Sequence, residues 1–169
     1  LGDNIANRSE QMPWYTGATV LDTLGGFQKE AARSEQPLRM PVQDVYKFDA
    51  RRIITGRIAA GQLKVGDHLV FSPSNKRANI RTVEAFNIEP QPTEGQAGQS
   101  IGVTLDDQIF VERGEIASHQ EHLPSVSTAF RANLFWLGKR PLEKERKYLL
   151  RVATKEVDCE VASIHRIID

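Results

Sequence analysis

The sequence predicts an all-β protein: a small six-stranded β-barrel, then part of a second barrel, with a short helical segment ahead of both. Three observations carry this expectation. Short apolar runs with strand character recur from residue 38 to residue 118, separated by Gly, Pro, Asn and Asp turns. A helical spacing of apolar residues occurs in one early stretch only. Beyond residue 128 three further strand-like runs follow, too few to close a barrel by themselves.

Residues 16–24 read as the helix. Thr16 and Thr19 are both candidate caps, Val20, Leu21 and Leu24 form the apolar stripe, and Gly25-Gly26 ends it. Ahead of it, Met12-Pro13-Trp14-Tyr15 concentrates aromatic surface that so short a segment cannot bury. Either the following barrel covers that surface or a separate domain does. Residues 29–36 are polar and charged, as a linker is.

The barrel strands are expected at residues 38–48, 52–59, 68–71, 78–86, 100–105 and 115–118. Turns fall at Ala60-Gly61-Gln62, at Gly66-Asp67 and at Pro73-Ser74-Asn75, and residues 89–99 form a loop rich in Pro, Gly and Gln. A second linker, marked by Pro124, spans 120–127. The later strands are expected at 129–137, 147–154 and 156–168, with a turn around Gly138 and Pro141. The resulting division is 1–36, 37–121 and 122–169.

Composition narrows the function. The 169 residues carry 22 Lys+Arg and 22 Asp+Glu, a formal net charge of zero. Tight non-specific binding to nucleic acid rests on neutralising many phosphates, so this balance argues against it. Cys159 is the single cysteine, so an intrachain disulfide and a multi-cysteine zinc site are both excluded, and a reducing, cytoplasmic setting is favoured. No run approaches the ~18 apolar residues of a membrane span. The chain opens on Leu1-Gly2-Asp3-Asn4 without Met or signal peptide and stops on Ile168-Asp169, which reads as an excised piece.

The chemistry-bearing residues point to no catalytic, cofactor or metal site. No GxxxxGK[ST] loop and no strand-borne GxGxxG is present, so no phosphate cradle opens a helix. His119 and His122 flank Glu121 at a chelating spacing but fall in the expected linker. His68 follows a turn, and His165 falls within an expected strand. Asp106-Asp107 and Glu112 offer carboxylates, yet adjacent strand residues point oppositely and a shared pocket does not follow. Cys159, alternating with Val157 and Val161, is expected to face a core, inert. Arg51-Arg52, Lys76-Arg77 and Lys139-Arg140 are basic doublets expected in solvated turns.

Several strings carry a family resemblance. Val42-Gln43-Asp44-Val45-Tyr46, Arg52-Ile53-Ile54-Thr55-Gly56-Arg57-Ile58 and Gly61-Gln62-Leu63-Lys64-Val65-Gly66-Asp67 resemble the second domain of elongation-factor-Tu-like GTPases. Ile101-Gly102-Val103-Thr104-Leu105 and Glu112-Arg113-Gly114-Glu115-Ile116 resemble that domain's closing strands. The flanks are similar to the large, GTP-hydrolysing subunit of sulfate adenylyltransferase, a family some of whose members carry a fused adenylylsulfate kinase. Met12-Pro13-Trp14-Tyr15-Thr16-Gly17 resembles the end of its GTPase domain. Leu134-Phe135-Trp136-Leu137 and Tyr148-Leu149-Leu150 resemble the start of its third domain.

The resemblance implies a translation-factor-type barrel at 37–121, the tail of a GTPase domain at 1–36 and the start of a third domain at 122–169. It implies GTP and magnesium held by residues outside this chain, and partnership with the GTPase domain and a small adenylyltransferase subunit. It implies a cytoplasmic coupling fragment, without catalysis of its own, in a parent that makes adenylylsulfate from ATP and sulfate. The competing expectation is an RNA-facing barrel of an elongation or release factor. A third is a self-standing oligomerising β-module.

Overall fold

The structure is a computed structural model that describes residues 2–27, 33–47 and 51–167. The chain divides into two compact units, Leu1–Ala31 and Ala32–Asp169.

The first unit holds one helix, α1 (Val20–Gly25). It begins later than the apolar spacing suggests because Thr19, with extended φ and ψ of −67° and 164°, is the cap. Its hydroxyl accepts the Asp22 N–H at 3.1 Å while the Asp22 carboxylate accepts the Thr19 N–H at 3.2 Å. This reciprocal box satisfies donors that the first helical turn leaves open. Gly26 is the C-cap. The stripe Val20, Leu21 and Leu24 stays more than half exposed, so backbone bonds hold the unit instead. Val20 and Leu21 donate to the carbonyls of Asn4 and Ile5, both at 2.9 Å.

In the second unit the strands are β1 (Met40–Lys47), β2 (Arg52–Arg57), β3 (Gln62–Lys64), β4 (His68–Ser72), β5 (Lys76–Glu84), β6 (Glu94–Gln96), β7 (Ser100–Leu105) and β8 (Ile116–His119), then β9 (Lys147–Val152) and β10 (Lys155–Glu160). Six of them close an antiparallel barrel in the order β1-β2-β7-β5-β4-β8. Closure pairs every strand on both sides and leaves no open edge.

Two bulges explain why the apolar alternation along the sequence is only partial. Val42 pairs with Gly56 and Asp44 with Thr55, leaving Gln43 as an extra residue. Likewise Ile80 pairs with Leu105 and Thr82 with Thr104, leaving Arg81 extra. An extra residue shifts the two-residue period by one. Val42 and Val45, and Ile80 and Val83, therefore face one core although each pair is three apart. Met40, Leu69, Phe71 and Val103 fill its centre with no exposed surface.

Several expectations are corrected. β3 and β6 were not anticipated; β6 lies inside the expected 89–99 loop, and the two pair as a separate ribbon. Residues 129–137 form no strand. Phe135 is 98% and Leu137 94% exposed, and the Trp136 indole folds back to donate to the Arg140 carbonyl at 2.7 Å. With no partner for its backbone, a β-prone run has nothing to make it a strand. The last expected strand stops at Glu160, so His165 is not in a strand. β9 and β10 form a two-stranded hairpin with no fully buried side chain, so Cys159 is half-buried without a core to face. Phe48, residues 29–32 of the expected linker, and Ile168 lie outside the described residues.

Candidate functional site

The β3–β6 ribbon borders a polar groove of about 530 Å³. Its registers Gln62 with Gln96 and Lys64 with Glu94 set four exposed polar residues along it, and Gln99, Asp67 and His119 complete the lining. The Val65-Gly66 turn positions Asp67, whose carboxylate accepts the Lys64 N–H at 2.9 Å. The same oxygen, Oδ2, lies 3.1 Å from Nε2 of His119, at the end of β8. The groove offers three amides, one ammonium, the Glu94 carboxylate and a carboxylate–imidazole pair. That set suits hydrogen bonding to a polar surface. Among the described residues no three His, Cys, Asp or Glu side chains are grouped to hold a metal ion.

A second cluster brings basic doublets together that are far apart in sequence. The Arg52 guanidinium lies 4.2 Å from the centroid of the Phe110 ring, and Lys76 Nζ donates to the Phe110 carbonyl. Arg51 pairs with Glu84 at 3.3 Å. Arg52, Lys76 and Arg77 lie at the starts of β2 and β5 rather than in the expected turns, and sequence reasoning missed Phe110 because nothing in its own neighbourhood indicates that two distant strands meet on it. Lys139 and Arg140 are exposed in the turn after Trp136.

The remaining candidates have local roles. His68 Nδ1 lies 2.8 Å from the Asn79 side-chain oxygen. His122 sits in a single 3-10 turn, Gln120–His122, where its carbonyl accepts from Arg39 at 2.8 Å. His165 meets the Ser163 hydroxyl at 3.3 Å. Asp106 is bound by Asn79, and that side-chain hydrogen bond first, then the backbone ones, holds its carboxyl below the usual range. Asp22 is lowered in the same way by the Thr19 hydroxyl. The Glu112 N–H donates to Glu115 at 3.3 Å. Asp106 and Asp107 thus occupy a bend after β7, with the Asp106 carboxylate committed to Asn79.

Comparison with known proteins adds what geometry alone does not. No family model matches the chain. Sulfate adenylyltransferase subunit 1 of Shewanella oneidensis is 34% identical over 170 residues, covering 99% of this chain and 34% of the relative. The chain is homologous to part of sulfate adenylyltransferase subunit 1. The subunit 1 proteins of Saccharophagus degradans, 31% identical over 169 residues, and Francisella tularensis subsp. novicida, 32% identical over 157, cover 99% and 92% of this chain. The chain spans about a third of the length of these subunit 1 relatives. Crystal structures of sup35 with GDP and with GMPPNP superpose with TM-scores of 0.52 and 0.50, each at 21% identity over 71% of this chain and 30% of theirs. At that identity the likeness is one of fold alone.

Proposed function

We propose that this chain is the barrel and coupling portion of the GTP-hydrolysing subunit of a cytoplasmic sulfate adenylyltransferase, and is not catalytic by itself. The observation that supports this most is the alignment with subunit 1 over 99% of the chain. In this reading residues 1–36 are the tail of a GTPase domain, 37–121 the second domain and 122–169 the beginning of a third. GTP and magnesium belong to the GTPase domain. The small adenylyltransferase subunit, which forms adenylylsulfate from ATP and sulfate, is the partner.

Among the described residues, the start of α1 does not suit a nucleoside triphosphate. The Thr19 hydroxyl and the Asp22 carboxylate already occupy the cap, and a carboxylate there repels phosphate. The chain's contribution is mechanical. A closed, densely packed barrel moves as one body, so a γ-phosphate-dependent switch in a neighbouring domain changes which barrel faces meet which partner. Coupling then equals the difference in contact free energy between the two arrangements. Among the described residues no helix is long and apolar enough to cross a membrane.

The test uses the purified 169-residue chain with labelled GTP, a separately expressed GTPase domain and the small subunit. Association with either protein and no nucleotide binding or hydrolysis is expected. Tight GTP binding or turnover by the chain alone sinks the reading. The Arg52, Lys76 and Phe110 cluster supports the RNA-facing alternative. RNA affinity that falls steeply with salt would favour that alternative.

A further inference from the structure

The β9–β10 hairpin meets the barrel at the Gln43 bulge. There the Val42 carbonyl accepts the Thr154 hydroxyl at 2.7 Å and the Gly114 N–H at 3.0 Å. The neighbouring Gln43 carbonyl accepts Arg113 Nη1 at 2.9 Å. The same guanidinium uses Nε to reach the Thr154 carbonyl at 3.3 Å. Arg113 therefore bridges β1 and the hairpin turn, with one N–H committed to each.

Two further features shape this contact. Gly114 has φ of +92°, and a Cβ built there would lie 2.8 Å from Lys155 Cβ and 3.2 Å from Lys155 Cα. The hairpin turn thus comes so near the barrel loop that only glycine leaves it room. No apolar side chain of β9 or β10 is fully buried, so the hairpin is not anchored by a buried apolar seam.

We propose that Arg113 and Thr154, with the carbonyls of Val42 and Gln43, form a polar latch that sets the orientation of the β9–β10 hairpin on the barrel. Arg113 is its positioning residue. An extra residue in a strand interrupts regular pairing, and here the carbonyls of Val42 and of the extra residue Gln43 each receive a side chain from outside the strand pair. A joint made of hydrogen bonds opens without uncovering apolar surface, so it switches orientation where a packed seam would resist. The latch stands on the geometry of this chain alone and does not depend on the sulfate-activating reading.

The test places spin labels at Arg81→Cys on the barrel and Lys147→Cys on the hairpin, in a Cys159→Ser background, and measures the distance between them. One narrow distance is expected in that chain and in its Thr154→Ser derivative, which keeps the hydroxyl. Arg113→Ala and Thr154→Val should broaden it, and Arg113→Lys as well, because an ammonium lacks the fork that reaches two carbonyls. Hydrogen exchange of the β4 and β5 amides should stay unchanged throughout. Should Arg113→Ala lose that barrel protection, Thr154→Val alone decides. A broad distance before any latch substitution, or a narrow one in Thr154→Val, overturns the proposal.

Discussion

Asn79 and Asp106 hold each other three times: the Asp106 carboxylate accepts the Asn79 backbone N–H at 2.8 Å and its side-chain N–H at 2.6 Å, and the Asp106 N–H donates to the Asn79 carbonyl at 3.0 Å. The pair ties the end of β7 to β5. Because the Asp106 pKa is depressed in the folded chain, its stabilising contribution is complete above the unfolded value, 3.8. It is lost as pH falls through the lower, folded value. Asp106→Asn should lower stability at neutral pH and flatten the loss that sets in as pH falls below the unfolded value. Urea midpoints taken through that fall would show it; parallel curves for the two proteins would refute it.

Gly56 pairs with Val42 beside the bulge in β1. A Cβ there would sit 2.5 Å from the Pro41 carbonyl oxygen and 3.0 Å from Met40 Cγ. The first of these is backbone and cannot rotate aside. Gly56→Ala should therefore destabilise the barrel by about 1–3 kcal/mol, the usual cost of overpacking. Chemical denaturation is the check, and an unchanged midpoint would mean that the strand pair yields more easily than its closure suggests.

Thr19→Ala removes one half of the capping box. The cost to the first unit should be about 1 kcal/mol. The sharper readout is Asp22, whose carboxyl is lowered chiefly by the Thr19 hydroxyl. Its NMR titration should move upward in the variant. A titration that stays put would assign the depression to another group.

Ala153, in the turn between β9 and β10, has φ of +52°. A left-handed conformation costs an L-residue roughly 1–2 kcal/mol, while glycine gives back about 0.5–1 kcal/mol in unfolded-chain entropy. Ala153→Gly should stabilise the hairpin by about 0.5–1 kcal/mol on balance. Slower amide exchange along β9 and β10 is the expected sign; faster exchange would show that entropy outweighs the relieved strain.

The barrel was largely legible from the sequence, for physical reasons. Leu69, Phe71 and Val103 occur in dense apolar runs, and turn residues punctuate the runs. β3 and β6 were hidden because each has three residues, and their existence depends on pairing with each other across about thirty intervening positions rather than on local preference. Residues 129–137 gave the opposite error: strong local β character with no partner strand among the described residues. The groove was illegible because His119 sits in β8 and Asp67 in the turn before β4, joined through the pairing of β4 with β8. Phe110 and Thr154 carried no local signal, since both act through neighbours far away in sequence.

The strand that opens the barrel also lies beside the one that closes it. β1 meets β8 through Met40 with Ala117 and Pro41 with Ile116, and Arg39 reaches the His122 carbonyl just beyond. The chain consequently comes in and goes out along a single margin. A body tethered this way resembles a pendant on a two-ended cord: both attachments pull at one place.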